Sequence, residues 1–98
     1  PPRVEFDTVE GGQRTRLSLV GNDRPGLLAD VAQVLRSNRL RVHDARIATF
    51  GERVEDIFLL SDQSDRALAD ADSLETMRSA LIACLEGEMA NDRVKSGG

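Results

Sequence analysis

Apolar residues recur along this chain at two periods, and the changes from one to the other mark its elements. Residues 4–7, Val4-Glu-Phe-Asp7, alternate apolar and acidic positions as a short strand does. Gly11-Gly12 makes a turn. Over residues 14–20, Leu17 and Leu19 alternate with Arg16 and Ser18, which predicts a second, half-buried strand able to pair with the first as a hairpin. The period then becomes helical. Leu27, Leu28, Val31, Val34 and Leu35 fall on one face of a predicted helix over 25–38, with Asn38 placed to end it. Before it stand Asn22 and Asp23, both N-cap types, and Pro25, which suits a first helical turn.

Strand signals return over 40–50. Val42 and Ile47 are five apart, so strict alternation sends them to opposite faces; a bulge near Asp44-Ala45 brings both inward. Gly51-Glu52 reads as a hairpin turn and 54–60 as the returning strand. Its end, Ile57-Phe-Leu-Leu60, is apolar on both faces, so one face covers helices and the other needs a partner. Residues 61–71 are a polar loop. Asp72-Ser-Leu-Glu75 fits a capping box, with Asp72 as N-cap. A second helix then runs to Glu86 with Leu74, Met77, Leu81 and Leu85 inward, followed by a polar tail over 87–98.

The order β-β-α-β-β-α predicts an α+β fold of ferredoxin type, an antiparallel sheet with two helices on one face. The usual last strand after the second helix is missing. The first strand is expected to take that edge, beside residues 14–20.

Ninety-eight residues allow one domain, with its core over about 4–86. The chain starts Pro1-Pro2 and ends Ser-Gly-Gly, which suggests a piece of a longer protein. A formal charge of −4 and the lack of Tyr and Trp argue against a nucleic-acid partner. No apolar run is long enough to span a membrane. The single Cys excludes an internal disulfide and fits the cytoplasm. Cys84 sits near the apolar stripe of the second helix and reads as a small core residue.

Chemistry concentrates at residues 22–28. A turn entering a helix leaves backbone N–H groups unbonded at the positive end of the helix dipole. Here they belong to Gly26, Leu27 and Leu28, a cradle for a carboxylate. An ammonium would sit near Asp23 or a carbonyl, and an amide near Asn22. The same N–H groups serve equally in a ligand-free helix cap. His43-Asp44 tempts a metal reading, but a metal site takes three or more protein ligands and the chain has one His. His43 is expected to face the ligand or a partner instead. Glu52, Arg53, Glu55, Asp56 and Arg46 read as a solvated hairpin with cross-strand ion pairs, the alternative being a contact to another part of a longer protein; Asp56 stands out because it interrupts an apolar strand. No nucleophile–base pair, phosphate loop or acid/base carboxylate pair stands out, so no catalytic residue and no cofactor are assigned.

These residues resemble a family. Asn22-Asp-Arg-Pro-Gly-Leu-Leu-Ala-Asp30 after a strand, followed by Leu40-Arg-Val-His-Asp-Ala-Arg-Ile-Ala-Thr49, is similar to the ACT domain, a small ferredoxin-like module that senses amino acids in metabolic enzymes. Ala45-Arg-Ile-Ala-Thr-Phe-Gly-Glu-Arg-Val-Glu-Asp-Ile-Phe58 resembles more narrowly the last of the paired ACT domains that close the bifunctional uridylyltransferase/uridylyl-removing enzymes of bacterial nitrogen control. The resemblance implies a non-catalytic, glutamine-sensing module. In that family the whole enzyme adds UMP to the signalling protein PII when glutamine is low and removes it when glutamine is high, and the resemblance implies the same of a parent here. It implies ligand contacts from Asn22, Asp23, Arg24, Gly26, Leu27, Leu28 and His43. It also implies partners in a second ACT domain, the catalytic domains and PII. By itself the chain is expected to pair as a homodimer, edge to edge or face to face. The alternatives are a ligand-free module for domain pairing or PII docking, and a sensor of another amino acid.

Overall fold

A computed structural model describes residues 1–87; the polar tail beyond them lies outside the described residues. The elements are β1 (Arg3–Val9), β2 (Arg14–Asn22), α1 (Leu27–Ser37), β3 (Arg41–Phe50), β4 (Arg53–Ser61) and α2 (Ala71–Leu85). A single 3-10 turn, Glu10–Gly12, joins β1 to β2. The four strands form one sheet in the order β1-β2-β4-β3, and every neighbouring pair is antiparallel. The N-terminal strand therefore holds the edge beside β2, as the missing last strand required.

Alternation separates the two faces. Leu17 and Leu19 of β2 and Val54, Phe58 and Leu60 of β4 are buried on one side. There they meet Leu27, Val31, Val34 and Leu35 of α1 and Met77, Leu81, Cys84 and Leu85 of α2. Each such side chain contributes roughly 1.5–3 kcal/mol of burial, which is what holds two short helices on the sheet. On the open face Ile57 remains 41 % exposed, so β4 is apolar on both sides with only one covered.

Three local expectations need correction. The first concerns the entry to α1. Pro25 is not in the helix: Arg24-Pro-Gly-Leu27 is a turn closed by Leu27 N–H on Arg24 O at 3.3 Å. Gly26 has φ 82°, ψ −1°, the left-handed geometry that the third position of a type II turn demands, with Pro25 at the second. The helix begins one residue later, without a side-chain cap. Asn22 belongs to β2, and Asp23 N–H donates to Glu52 O at 2.7 Å, so neither caps α1. Leu28 leaves the buried stripe and is 45 % exposed.

The second concerns β3. The register breaks between Val42 and Asp44, so the extra residue is His43, just before the expected place. Val42 then lies opposite Leu60 and Ile47 opposite Asp56, both on the helix side. Yet they remain about half exposed, because β3 is the sheet edge and the helices leave it largely uncovered.

The third concerns α2, whose cap is Asp70 rather than Asp72. Its carboxylate accepts from Ser73 N–H at 3.3 Å and from the Ser73 hydroxyl. Asp72 lies in the first turn, where an acidic side chain suits the helix dipole. At the opposite sheet edge Arg78 Nε donates to Val4 O at 3.1 Å, tying α2 to β1.

Candidate functional site

Where β2 crosses into α1, the type II turn stands off the sheet and leaves a groove of about 390 Å³. One wall is Asp23, Arg24, Gly26, Leu27, Leu28 and Ala29; the other is Ile47 and Thr49 of β3 with Val54 and Asp56 of β4. The uncovered helix side of β3 thus forms half of it. Among the described residues, the backbone N–H groups of Gly26, Leu28 and Ala29 have no backbone acceptor, whereas that of Leu27 is bonded to Arg24 O. Of the three N–H groups expected from the sequence, those of Gly26 and Leu28 are therefore open, and Ala29 takes the place of Leu27, at the positive end of α1.

Arg24 lines this groove, but its guanidinium is spent inside the fold. Nη2 donates to Asp30 Oδ2 and to Cys84 O, each at 2.7 Å, while Nε reaches Cys84 O at 3.0 Å and Nη1 reaches Pro25 O at 3.1 Å. Asp30 is 1 % exposed in the first turn of α1, and Cys84 O lies in the last turn of α2. Arg24 thus clamps the turn to the ends of both helices. Its role is positioning.

Asn22 lies on the other side of the turn, with Pro1, Pro2 and Arg53, and not in the groove. His43 is farther still. It sits at the Ser61 end of β3, and the groove is at the Thr49 end, roughly 20 Å away along a strand rising about 3.3 Å per residue. A joint Asn22–His43 contact to one small ligand in this groove is excluded within a single chain. His43 Nε2 is 2.7 Å from Ser61 Oγ, whose own hydroxyl donates to Asp62 O at 2.9 Å. The His43 ring nitrogen is accordingly the donor to Ser61.

Asp56 is a lining residue that the sequence reading did not place in the site. It was grouped with a solvated hairpin, and the structure buries it to 2 % exposure on the helix side of β4, in line with Val54 and Phe58. Its Oδ1 accepts from Ala48 N–H at 3.2 Å. Burial pushes its carboxyl above the ordinary range; the Ala48 bond pulls the other way, and the nearby charge of Asp23 adds to the rise. The signal was available: an acid at a position where alternation demands a core residue. Of the other hairpin charges, Arg53 and Glu55 pair at 3.2 Å along one strand, exposed to solvent.

Among the described residues no group of three or more His, Cys, Asp or Glu side chains gathers as a metal site. No helix among them is long and apolar enough to cross a membrane.

Known proteins resemble this chain in sequence and in fold. The chain is 65 % identical, over 87 % of its length, to the bifunctional uridylyltransferase/uridylyl-removing enzyme of Xanthomonas campestris, and 47 % identical over 93 % of its length to that of Psychrobacter cryohalolentis. It spans about a tenth of those relatives. Among solved structures, an unknown protein from Galdieria sulphuraria superimposes with a TM-score of 0.60 at 28 % identity, covering 76 % of this chain and 40 % of that one. Residues 15–73 match the ACT domain, a regulatory module, from β2 through the turn and the groove to the start of α2. The chain belongs to the ACT domain family.

Proposed function

We propose that this domain senses a free amino acid, glutamine in the first place, in the groove between the Asp23–Gly26 turn and β3. It would do so as the regulatory end of a cytoplasmic uridylyltransferase/uridylyl-removing enzyme acting on PII. One observation carries the reading: the turn opens the Gly26, Leu28 and Ala29 N–H groups onto a groove of about 390 Å³. That volume is within the range of small-molecule sites, and the amides suit an α-carboxylate. The relatives' name supplies the uridylyl chemistry. The resemblance of Ala45–Phe58 supplies glutamine and PII.

Transmission would be a population shift. Bound amino acid favours one arrangement of this domain against its neighbours, and the catalytic domains respond to that arrangement. Affinity must differ between the two arrangements, or nothing is transmitted. The natural neighbour is a second ACT domain. Val42 and Ile47, 49 % and 47 % exposed on an edge strand, offer a wall that a paired domain would cover. By itself the chain would then pair with a second copy, and a strict monomer in sedimentation at high concentration would refute that.

Isothermal calorimetry with glutamine, using glutamate and serine as controls, tests the ligand. Heat with glutamine alone is the expected result. Heat with serine alone would make this a sensor of another amino acid. The exposed apolar edge favours the second reading, a pairing module without its own ligand, and silence with all three compounds would select it.

A further inference from the structure

Asp56 is a carboxylate that the fold itself leaves half used. It is 2 % exposed, and Oδ1 is bonded to Ala48 N–H. No donor among the described residues reaches Oδ2, and among them no side-chain polar atom shut off from solvent lacks a partner. Oδ2 therefore opens onto the groove that Asp56 lines. Among the described residues no cationic group lies within ion-pair distance of it: the one basic side chain among them in the groove, Arg24, is committed to Asp30 and Cys84. The other titratable group facing the groove, Asp23, is a second acid. One part of the groove thus gathers negative charge while the turn presents N–H groups.

Resting on the reading of this groove as an amino-acid site, we infer that Asp56 Oδ2 is the receptor for the ligand's α-ammonium, assisted by Asp23. The α-carboxylate then lies on the free N–H groups at the start of α1. The ligand class is a zwitterionic α-amino acid with its amine unmodified. A divalent cation fits less well, since Mg²⁺ and Ca²⁺ take six or more oxygen ligands and the groove offers two carboxylates. Burial and the charge of Asp23 already raise the Asp56 carboxyl, a strain that an arriving cation relieves.

The test pairs each amino acid with its analogue lacking the α-amino group: glutamine with glutaramate, glutamate with glutarate, serine with 3-hydroxypropanoate. Affinities are read by calorimetry on the 98-residue chain and on Asp56→Asn, which keeps an oxygen for Ala48 N–H and removes the charge. A charge-assisted hydrogen bond predicts a loss of about 10- to 100-fold for the amino acid on Asp56→Asn. The deaminated analogue should bind weakly and equally to both chains. An equal loss for both compounds would make Asp56 structural and overturn the assignment. An unchanged amino-acid affinity would overturn it while leaving the groove reading intact. No binding by any amino acid would overturn both. Should Asp56→Asn not fold, the unaltered chain decides: an analogue that keeps affinity within threefold of its amino acid refutes an ammonium receptor.

Discussion

Replacing Arg24 with Ala should destabilise the domain by about 2–4 kcal/mol. The guanidinium makes charge-assisted bonds to Asp30, 1 % exposed, and to Cys84 O, while its own side chain is only 19 % exposed. Breaking a buried pair by deleting one partner typically costs about 3–5 kcal/mol, because the other charge stays behind. Asp30 and Cys84 each keep another interaction, which moves the figure toward the lower end. Against a total of about 5–15 kcal/mol for a domain of this kind the loss is large. With no Trp or Tyr to report fluorescence, urea unfolding is followed by far-ultraviolet circular dichroism. At a slope of about 2 kcal/mol per molar urea, the midpoint falls by roughly 1–2 M. Arg24→Lys keeps the charge without the fork and should fall between. The Arg24→Ala/Asp30→Ala pair should be less unstable than the two single losses added together. A cost below about 0.5 kcal/mol, or strict additivity, would show a solvated arginine and no clamp.

Gly26→Val forces a β-branched residue into φ 82° and crowds the N–H cradle; it should abolish amino-acid binding in calorimetry while a cooperative, lower-melting fold remains. Gly21→Ala places a Cβ 3.0 Å from Leu85 Cδ2, so the end of α2 must give; a loss of about 1 kcal/mol is expected, read as a fall in Tm of several degrees. Two carboxyls pull the pH dependence in opposite directions. Asp70 is held below the ordinary range by Ser73, so its contribution is present above the unfolded value of 3.8 and lost as pH falls through the folded one; Asp70→Ala should lower Tm at pH 7 and matter less in acid. Asp56 is raised, so its contribution is present below 3.8 and lost as pH rises through the folded value; Asp56→Asn should gain Tm relative to the parent chain as pH rises, and a constant difference would refute the burial of that charge.

The sheet was legible because alternation is a local property. Leu17 and Leu19 name the inner face of β2 without knowledge of the rest, and the spacing of Val42 and Ile47 demanded an extra residue in β3, which His43 supplies. The edge position of β1 followed from counting, since no strand signal comes after α2. The helix starts were less legible because their signals are degenerate. Pro25-Gly26 fits both a first helical turn and a type II turn, and only the sign of φ at Gly26 separates them. Asp70 and Asp72 are equally good caps by residue type; Ser73 lies three residues after the first and decides in its favour.

The groove was half legible, for a physical reason. Its turn is contiguous in sequence, so Asp23 to Leu28 could be read as one unit. Its floor comes from two other strands, and whether a side chain on β3 or β4 faces the turn depends on register and on which end of the strand is near. His43 was misplaced because the bulge and the antiparallel return put it at the far end, beside Ser61. Arg24 was misread because a basic residue in a polar turn has the same local pattern whether it meets solvent, a ligand, or a carbonyl 60 residues later. Asp56 differs from both, for the sequence did register it as an acid interrupting an apolar strand. Within the fold its carboxylate secures one amide of β3, a bond that a neutral Asn would also make. Burial and the charge of Asp23 oppose the ionised form more than the Ala48 bond supports it, so the carboxyl lies above its ordinary range. Positions where local and global preferences disagree in this way concentrate at functional sites, and a cation entering the groove beside Oδ2 is what the charge is suited to meet.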